Sequence, residues 1–310
     1  MFVQQGGEKA YRKAAGKGTL LLRICLIIMP ILIASHRNVQ RVSAEGIPVL
    51  IYHEVLDSLE DPGETRISLD RFREQMKYLH DNGYTTMSID ELAAFMKGGA
   101  APEKGVVLTF DDGWLSIRDA IPVLNHYRFK ASFWIFPGTG IGYPHMEWPE
   151  IVEMAGNPNF EIGSHSLTHP WRSEDLVTWA EGKTAGRTLA DAAREIGESK
   201  RILEKMLQRK VKYLAWPRGV FNERLVEVAR EAGYEALLTT REGANVPGDD
   251  VFRIKRIYVD GACDMEVFAR TLTDHKYYRC QAKSQAADRT LLQANAPSPP
   301  GPSSPVSPGQ

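Results

Sequence analysis

The sequence of 310 residues contains little cysteine and has almost no net charge. Its 38 Lys and Arg residues balance 39 Asp and Glu residues, so the charge gives no indication of a nucleic-acid or acidic-polymer partner. Cys25, Cys263 and Cys280 are too few and too dispersed for a disulfide framework or a Cys-x-x-Cys metal site. One Cys263–Cys280 bridge and unpaired thiols both fit this spacing. A neutral or weakly charged substrate is expected.

The chain also lacks an uninterrupted apolar run of the roughly 20 residues that a membrane span needs. Near the amino terminus, basic residues precede an apolar stretch over residues 20–34 that Arg23 interrupts, and small residues follow at 42–44. This pattern is typical of a signal peptide, and an uncleaved signal anchor is the alternative. Either interpretation of residues 1–44 predicts an extracytoplasmic protein (periplasmic, secreted or cell-surface). Membrane contact is expected only through this segment, and only if the segment is uncleaved.

Residues 46–278 have the sequence pattern of one α/β domain. The Pro- and Ser-rich residues 279–310 are expected to form a disordered tail because they cannot build a core. Short apolar runs that are typical of buried strands alternate with amphipathic helical patterns, which predicts a mainly parallel sheet, open or closed into a barrel. The predicted strands are Pro48–Tyr52, Val106–Phe110, Ala131–Phe136, Phe160–Gly163, Tyr213–Trp216 and Ala236–Thr239. The predicted helices are Leu69–His80, Ile89–Met96, Leu189–Leu207 and Glu223–Ala232.

Polar residues follow the ends of four of these strands. They are His53, the pair Asp111 and Asp112, His165, and the segment Pro217-Arg218-Gly219. In parallel α/β folds the carboxyl ends of the strands carry the chemistry, so these residues are expected to form one site.

Asp111 and Asp112 stand at the exit of a buried strand, and Gly113 lets the chain turn sharply after them. Successive side chains on a strand point in opposite directions, so one carboxylate can bind a metal while the other faces a substrate. An ordinary Asp-Gly turn that caps a helix is the alternative interpretation of this motif alone.

His165 and His169 are four residues apart, and they would meet on one face if the segment formed a helical turn. Two histidines and one aspartate leave open positions on a metal, as a hydrolytic site requires. A surface turn with incidental histidines is the alternative.

The motifs together resemble the polysaccharide deacetylases with a NodB homology domain, carbohydrate esterase family 4. Thr109–Gly113 is similar to the TFDDG motif of that family, His165–Pro170 to its HSxTHP motif, and Tyr213–Gly219 to its proline-glycine motif. The resemblance covers about residues 46–275.

The resemblance implies a distorted (β/α) barrel. It also implies a divalent metal held by Asp112, His165 and His169, with Asp111 as the catalytic base. Zn²⁺ is the first choice for this ligand set, and Co²⁺ or Ni²⁺ can occupy the same kind of site.

The carboxyl-terminal part departs from the family pattern because it has no Leu-x-His motif to supply the acid histidine. The segment Ile47–Val55 instead resembles the opening of the branch that acts on poly-β-1,6-N-acetylglucosamine. That similarity makes His53 the expected acid. A structural role for His53 and an acid role for His275 are the alternatives.

Trp114, Pro217, Arg218 and Gly219 are expected to line the substrate groove, and Arg218 either pairs with Asp111 or faces solvent. Arg253 and Arg256 either support the catalytic aspartate, contact sugar hydroxyls or lie on an exposed edge strand.

The resemblance implies an enzyme that removes N-acetyl groups from an acetylated polysaccharide containing N-acetylglucosamine. A β-1,6-linked exopolysaccharide of the kind found in biofilms is the expected substrate. Peptidoglycan or chitin-oligomer deacetylation, O-acetyl ester hydrolysis and non-catalytic carbohydrate binding are the alternatives.

Overall fold

The computed structural model describes residues 46–138, 141–170 and 174–281. The predicted signal segment and residues 282–310 of the predicted tail lie outside the described residues. Among the described residues, no helix is both long enough and apolar enough to cross a membrane.

A parallel sheet curled into a half-barrel is the framework of the domain, as the resemblance to the (β/α) barrel predicted. Seven strands follow one another in the order β10-β1-β5-β6-β7-β8-β9, and β4 pairs with β5. Short strands β2 and β3 form a separate parallel pair. The strands are β1 (Val49–Tyr52), β2 (Glu54–Leu56), β3 (Arg66–Ser68), β4 (Thr85–Thr86), β5 (Gly105–Phe110), β6 (Ala131–Ile135), β7 (Phe160–Ser164), β8 (Tyr213–Ala215), β9 (Ala236–Leu238) and β10 (Ile257–Tyr258).

Helices surround the sheet and connect its strands. They are α1 (Leu69–Asp81), α2 (Ile89–Met96), α3 (Ala120–Tyr127), α4 (Trp148–Ala155), α5 (Leu176–Ala180), α6 (Leu189–Leu207), α7 (Glu223–Glu231) and α8 (Met265–Asp274). The four predicted helices agree with α1, α2, α6 and α7 to within one residue at each end. Ser88 caps α2, because its hydroxyl accepts the Glu91 N–H and the Glu91 carboxylate accepts the Ser88 N–H.

Both faces of the sheet are buried, and successive side chains of β5, β8 and β9 enter different apolar clusters. Leu108 and Phe110 of β5 join the cluster that packs against α1 and α6, whereas Val107 joins a second cluster that includes residues of α2. Because side chains alternate along a strand, Thr109 and Asp111 continue the face of Val107. The alternation therefore carries Asp111 into the carboxyl-terminal mouth of the half-barrel.

The two carboxyl-terminal cysteines form a disulfide, which the sequence left open. The bridge joins Cys263, just before α8, to Cys280, just after it. Cys280 stands two residues beyond the predicted domain boundary at residue 278, so the bridge ties the start of the predicted tail to the domain.

Gly163 gives a test of the sheet packing. A Cβ atom added at Gly163 would lie 2.0 Å from Cζ3 of the fully buried Trp134, which faces it on β6. We predict that Gly163→Ala destabilises the fold by about 1 to 3 kcal/mol, the usual cost of overpacking a rigid core. Urea denaturation of the purified domain measures the change.

Gly197→Ala is the matched control. Gly197 lies within α6, and nothing would lie within 4 Å of its added Cβ. This variant should gain about 0.5 to 1 kcal/mol because alanine favours helix over the unfolded chain. Equal stabilities for the two variants would contradict the described contact between β6 and β7.

Candidate metal centre and active site

A left-handed turn after β5 separates the two adjacent carboxylates. Asp112 has φ 70° and Gly113 has φ 69°, so the strand alternation ends immediately after Asp111. Aspartate tolerates this backbone conformation better than most residues. A Cβ at Gly113 would also lie 2.7 Å from Ile135 Cδ1, so glycine is required there for space as well as for φ. The turn leaves Asp111 buried in the mouth and directs Asp112 toward the two histidines.

The loop after β7 brings the two histidines together without a helical turn. Residues 165–170 form no helix, and Ser166 and His169 have φ 64° and 51°. These left-handed residues exclude the helical turn that would have placed both imidazoles on one face. The ring centroids of His165 and His169 are nevertheless 4.9 Å apart.

Glu195 of α6 fixes this loop from behind. Its carboxylate, with the residue only 5% exposed, accepts hydrogen bonds from the Leu167 N–H, the Thr168 N–H and the Thr168 hydroxyl. Hydrogen bonds to a charged acceptor are stronger than neutral ones, so three of them hold the loop firmly. The sequence analysis missed Glu195, since it lies within an amphipathic helix with no motif around it.

Asp112, His165 and His169 form a compact set of possible metal ligands. One ligand atom from each lies within 4.8 Å of the others. Asp112 Oδ1 is 3.4 Å from Nε2 of His165 and 3.4 Å from Nε2 of His169. This oxygen is buried and has no hydrogen-bond partner among the described residues. An unpartnered carboxylate oxygen facing two imidazole nitrogens fits a divalent cation.

Neighbouring groups also set the orientation or the protonation of each ligand. His165 Nδ1 lies 2.8 Å from the Ala215 carbonyl, which assigns the Nδ1 proton to that bond and leaves Nε2 free to bind a metal. The Trp114 indole N–H donates to Asp112 Oδ2 at 3.1 Å and orients the carboxylate. Burial lowers the pKa of His169 to about 4, so His169 is a neutral ligand at pH 7.

Asp111 forms a buried ion pair with Arg256, which directly precedes β10. Arg256 Nη1 donates to Oδ1 at 2.7 Å and Nη2 donates to Oδ2 at 3.0 Å. Arg256 is fully buried and Asp111 is 3% exposed. Burial opposes ionisation of Asp111, but the positive charge of Arg256 outweighs it and lowers the pKa of that carboxyl.

The arginine that pairs with Asp111 is therefore Arg256, and of the two interpretations left open for Arg218 the structure agrees with the one that places it in solvent. Arg218 is exposed, with φ 58°, in the short 3-10 turn Pro217–Gly219 after β8. Of the two other candidate arginines, Arg253 pairs on the surface with Asp250 and Glu223.

His53 lies directly after β1 and is buried. Tyr52 pairs with Phe110 in the sheet and its carbonyl accepts the Asp111 N–H, so His53 and Asp111 follow the ends of adjacent strands. The His53 ring is parallel to that of Tyr258, at 5.9 Å between centroids. His275, the alternative acid, stands at the carboxyl end of α8.

One wall of the site contains an aromatic residue that the sequence did not reveal. His145 stacks on Trp114 at 4.4 Å, and its loop is joined to the Asp112 turn by hydrogen bonds from Met146 N–H to the Gly113 carbonyl and from Leu115 N–H to the Pro144 carbonyl. Nothing in the sequence of this loop indicates that His145 would contact Trp114.

Known polysaccharide deacetylases resemble this chain in sequence and in fold. The family model described as polysaccharide deacetylase matches residues 98–237, which include both aspartates and both histidines. The Bacillus subtilis (strain 168) protein YxkH is 28% identical over 232 residues, covering 74% of this chain and 77% of YxkH.

Two further relatives extend the comparison. The poly-beta-1,6-N-acetyl-D-glucosamine N-deacetylase of Escherichia coli (strain K12) is 24% identical over 261 residues, covering 73% of this chain and 38% of that longer protein. The structure of IcaB from Ammonifex degensii superposes with a TM-score of 0.62 at 26% identity, covering 74% of this chain and 97% of IcaB. The chain therefore carries a polysaccharide deacetylase domain, matched over residues 98–237.

The ligand set predicts a clear difference between the two adjacent aspartates. Asp112→Asn keeps a residue that tolerates the left-handed backbone but removes the negative charge. We therefore predict that the affinity for Zn²⁺ falls by at least about 100-fold. This loss is larger than that caused by removing a residue that only hydrogen-bonds to a metal ligand. Isothermal titration of the metal-free domain with Zn²⁺ measures the affinity.

Asp111→Asn is the matched control, because it changes the neighbouring carboxylate in the same way. This variant should bind one Zn²⁺ with an affinity within a few fold of the wild type. If Asp112→Asn bound zinc as tightly as the wild type, the assigned ligand set would be wrong.

Proposed function

We propose that this chain is a metal-dependent N-deacetylase of a β-1,6-linked N-acetylglucosamine polysaccharide. In this proposal Asp112, His165 and His169 hold the metal, Asp111 is the base and His53 is the acid. The observation that carries it is the convergence of Asp112 Oδ1 and two imidazole Nε2 atoms beside an ionised, buried Asp111.

The chemistry of an acetamide explains why each of these groups is needed. An amide is a poor electrophile with a poor leaving group. Its hydrolysis therefore requires an activated water, stabilisation of the oxyanion and a proton for the departing nitrogen. A divalent cation held by the three ligands supplies Lewis acidity for the acetyl carbonyl and for water.

The side chains of the protein supply the proton transfers. Asp111, ionised by Arg256, accepts a proton from water as it attacks the carbonyl carbon. The carbon–nitrogen bond then breaks while His53 donates a proton to the leaving nitrogen. The products are acetate and a glucosamine unit, and one water is consumed.

Two observations support a β-1,6-linked substrate. The proposed acid comes from the amino-terminal strand β1, and the segment around it resembles the opening of the branch that acts on this polymer. The Escherichia coli relative carries the name of that activity. Trp114, His145 and the Pro217–Gly219 turn are the proposed walls for the sugar rings, since aromatic faces stack on sugars.

We further propose Zn²⁺ as the metal, with Co²⁺ or Ni²⁺ as substitutes, and an extracytoplasmic location. Two nitrogen ligands and one carboxylate are a common catalytic zinc set. The signal-like residues 1–44 support export, and so does the Cys263–Cys280 bridge, because disulfides persist in oxidising compartments.

The Arg256–Asp111 pair predicts a shift in the pH profile. In Arg256→Lys the charge remains but the paired hydrogen bonds do not, so the pKa of Asp111 should rise from its lowered value. Asp111 acts only when ionised, and activity should therefore be lost at a higher pH on the acidic side. The pH dependence of kcat/KM for acetate release measures this shift.

Arg253→Lys is the control, since Arg253 makes its ion pairs with Asp250 and Glu223 on the surface. Its profile should match that of the wild type. An unchanged acidic limb in Arg256→Lys would show that Arg256 does not set the ionisation of the base.

A panel of acetylated oligosaccharides tests the substrate. We predict acetate and free amine from β-1,6-linked N-acetylglucosamine oligomers at a kcat/KM at least about 10-fold above that for β-1,4-linked oligomers, equivalent to ~1.4 kcal/mol of transition-state preference. Enzymatic acetate assay and amine labelling measure the two products.

Asp111→Asn with bound zinc provides the blank. A preference for β-1,4-linked oligomers or peptidoglycan fragments would replace the proposed substrate, and acetate release from O-acetyl esters alone would indicate an esterase. No acetate from any amide substrate by the zinc-loaded protein would refute N-deacetylation.

A further inference from the structure

The chain after α8 folds back onto the domain and is fastened near the proposed acid. The Cys263–Cys280 disulfide holds one end of the segment formed by residues 275–281. The Cys280 N–H donates to Asp260 Oδ2 at 3.2 Å, which adds a second attachment at the same point. This tethered segment lies beyond the 98–237 range of the family match.

Tyr277 is the residue through which the tethered segment reaches inward. Its hydroxyl donates to Glu64 Oε2 at 3.1 Å and lies 3.4 Å from Asp260 Oδ2. The Tyr277 N–H also donates to Glu242 Oε2 at 3.3 Å. Burial and the negative charge of Glu64 raise the pKa of Tyr277, so the hydroxyl keeps the proton that it donates.

The Tyr277 ring continues a row of aromatic contacts that ends at His53. Tyr277 meets Tyr258 edge-on, with centroids 5.9 Å apart and planes at 60°. Tyr258 in turn lies parallel to His53, at 5.9 Å and 3°. The backbone of Tyr258 is fixed because it pairs with Ile51 in the sheet. The position of its ring therefore depends on the side chains packed against it.

As far as the structure describes the chain, the His53 ring is not oriented through a hydrogen bond at Nδ1. Its Nδ1 atom is buried and has no hydrogen-bond partner among the described residues. Imidazoles that act in catalysis are usually oriented by a hydrogen bond from the second ring nitrogen. In the described part of this chain, the parallel contact with Tyr258 takes the place of such a bond. Aromatic pairs of this kind contribute about 0.5 to 1.5 kcal/mol beyond their buried area.

We propose that the disulfide-tethered segment contributes to the active site. Tyr277 of this segment and Tyr258 of β10 are positioning residues for His53. The inference rests on the proposed function, because it assigns a cause to the orientation of the acid. The Cys263–Cys280 bridge is then required for full amide hydrolysis and not only for stability.

The choice of substrate separates positioning of the acid from general damage. Amide cleavage needs a proton on the leaving nitrogen, whereas the phenolate of p-nitrophenyl acetate leaves without one. A misplaced His53 should therefore slow the amide reaction and spare the activated ester. Damage to the metal centre or to the base should slow both reactions.

Tyr277→Leu and the double variant Cys263→Ala/Cys280→Ala are the test variants. We expect kcat for acetate release from the oligosaccharide that the wild type deacetylates to fall about 10-fold, part of the 10²- to 10⁴-fold that general acid catalysis supplies. KM, bound zinc and p-nitrophenyl acetate hydrolysis should stay within about twofold of the wild type. Tyr258→Phe, which keeps the ring, should retain activity, and Tyr258→Leu should lose it.

Tyr278→Leu is the matched control in the same segment. Its hydroxyl contacts Asp274 and Arg270 on α8 and makes no contact with the Tyr258 ring. Wild-type amide hydrolysis by Tyr277→Leu and by the double cysteine variant would overturn the inference. Equal loss of amide and ester hydrolysis together with loss of zinc would also overturn it, because the segment would then be only structural.

The imidazole proton signals of His53 in NMR spectra, assigned with His53→Gln, give a readout that needs no substrate. They should shift in Tyr277→Leu and not in Tyr278→Leu. If the wild-type protein releases no acetate but the His53 signals still shift in Tyr277→Leu, the positioning of His53 stands and only the proposed function is refuted. Unchanged signals in Tyr277→Leu would refute the positioning itself.

Discussion

The buried ion pair between Asp111 and Arg256 is the interaction on which the rest of the active site depends. A carboxylate that is 3% exposed is costly unless a partner compensates its charge, and Arg256 supplies two hydrogen bonds from a fully buried position. The pair fixes Asp111 on the inner face of the half-barrel. Asp112 is consequently left to turn toward the histidines.

The two adjacent carboxylates thus differ because the backbone differs. Asp111 still belongs to the strand alternation, whereas Asp112 has left-handed φ and has left the strand. The loop of His165 and His169 reaches the same point from β7, and Glu195 holds that loop from behind. Each functional group is therefore positioned by a rigid element and a second residue behind it, as precise chemistry requires.

Much of this arrangement could be predicted from the sequence, because buried parallel strands have continuous apolar runs and long helices have regular apolar faces. Strands such as Gly105–Phe110 and the helix Leu189–Leu207 follow directly from these patterns. Short elements such as Ile257–Tyr258 could not be found, since two residues carry no periodicity. Glu195 could not be found either, and the role of Arg256 stayed open between supporting the catalytic aspartate, contacting sugar and lying on an exposed edge, because a partner distant in sequence is revealed only by the fold.

The claim that Asp112, His165 and His169 share one divalent cation is tested most directly by a crystal structure of the zinc-loaded domain with anomalous scattering data at the zinc edge. We predict one anomalous peak about 2.0 to 2.2 Å from Asp112 Oδ1 and from Nε2 of both histidines, with an open coordination position of the zinc facing Asp111. A peak elsewhere, or a peak that lacks any one of these three ligands, would contradict it.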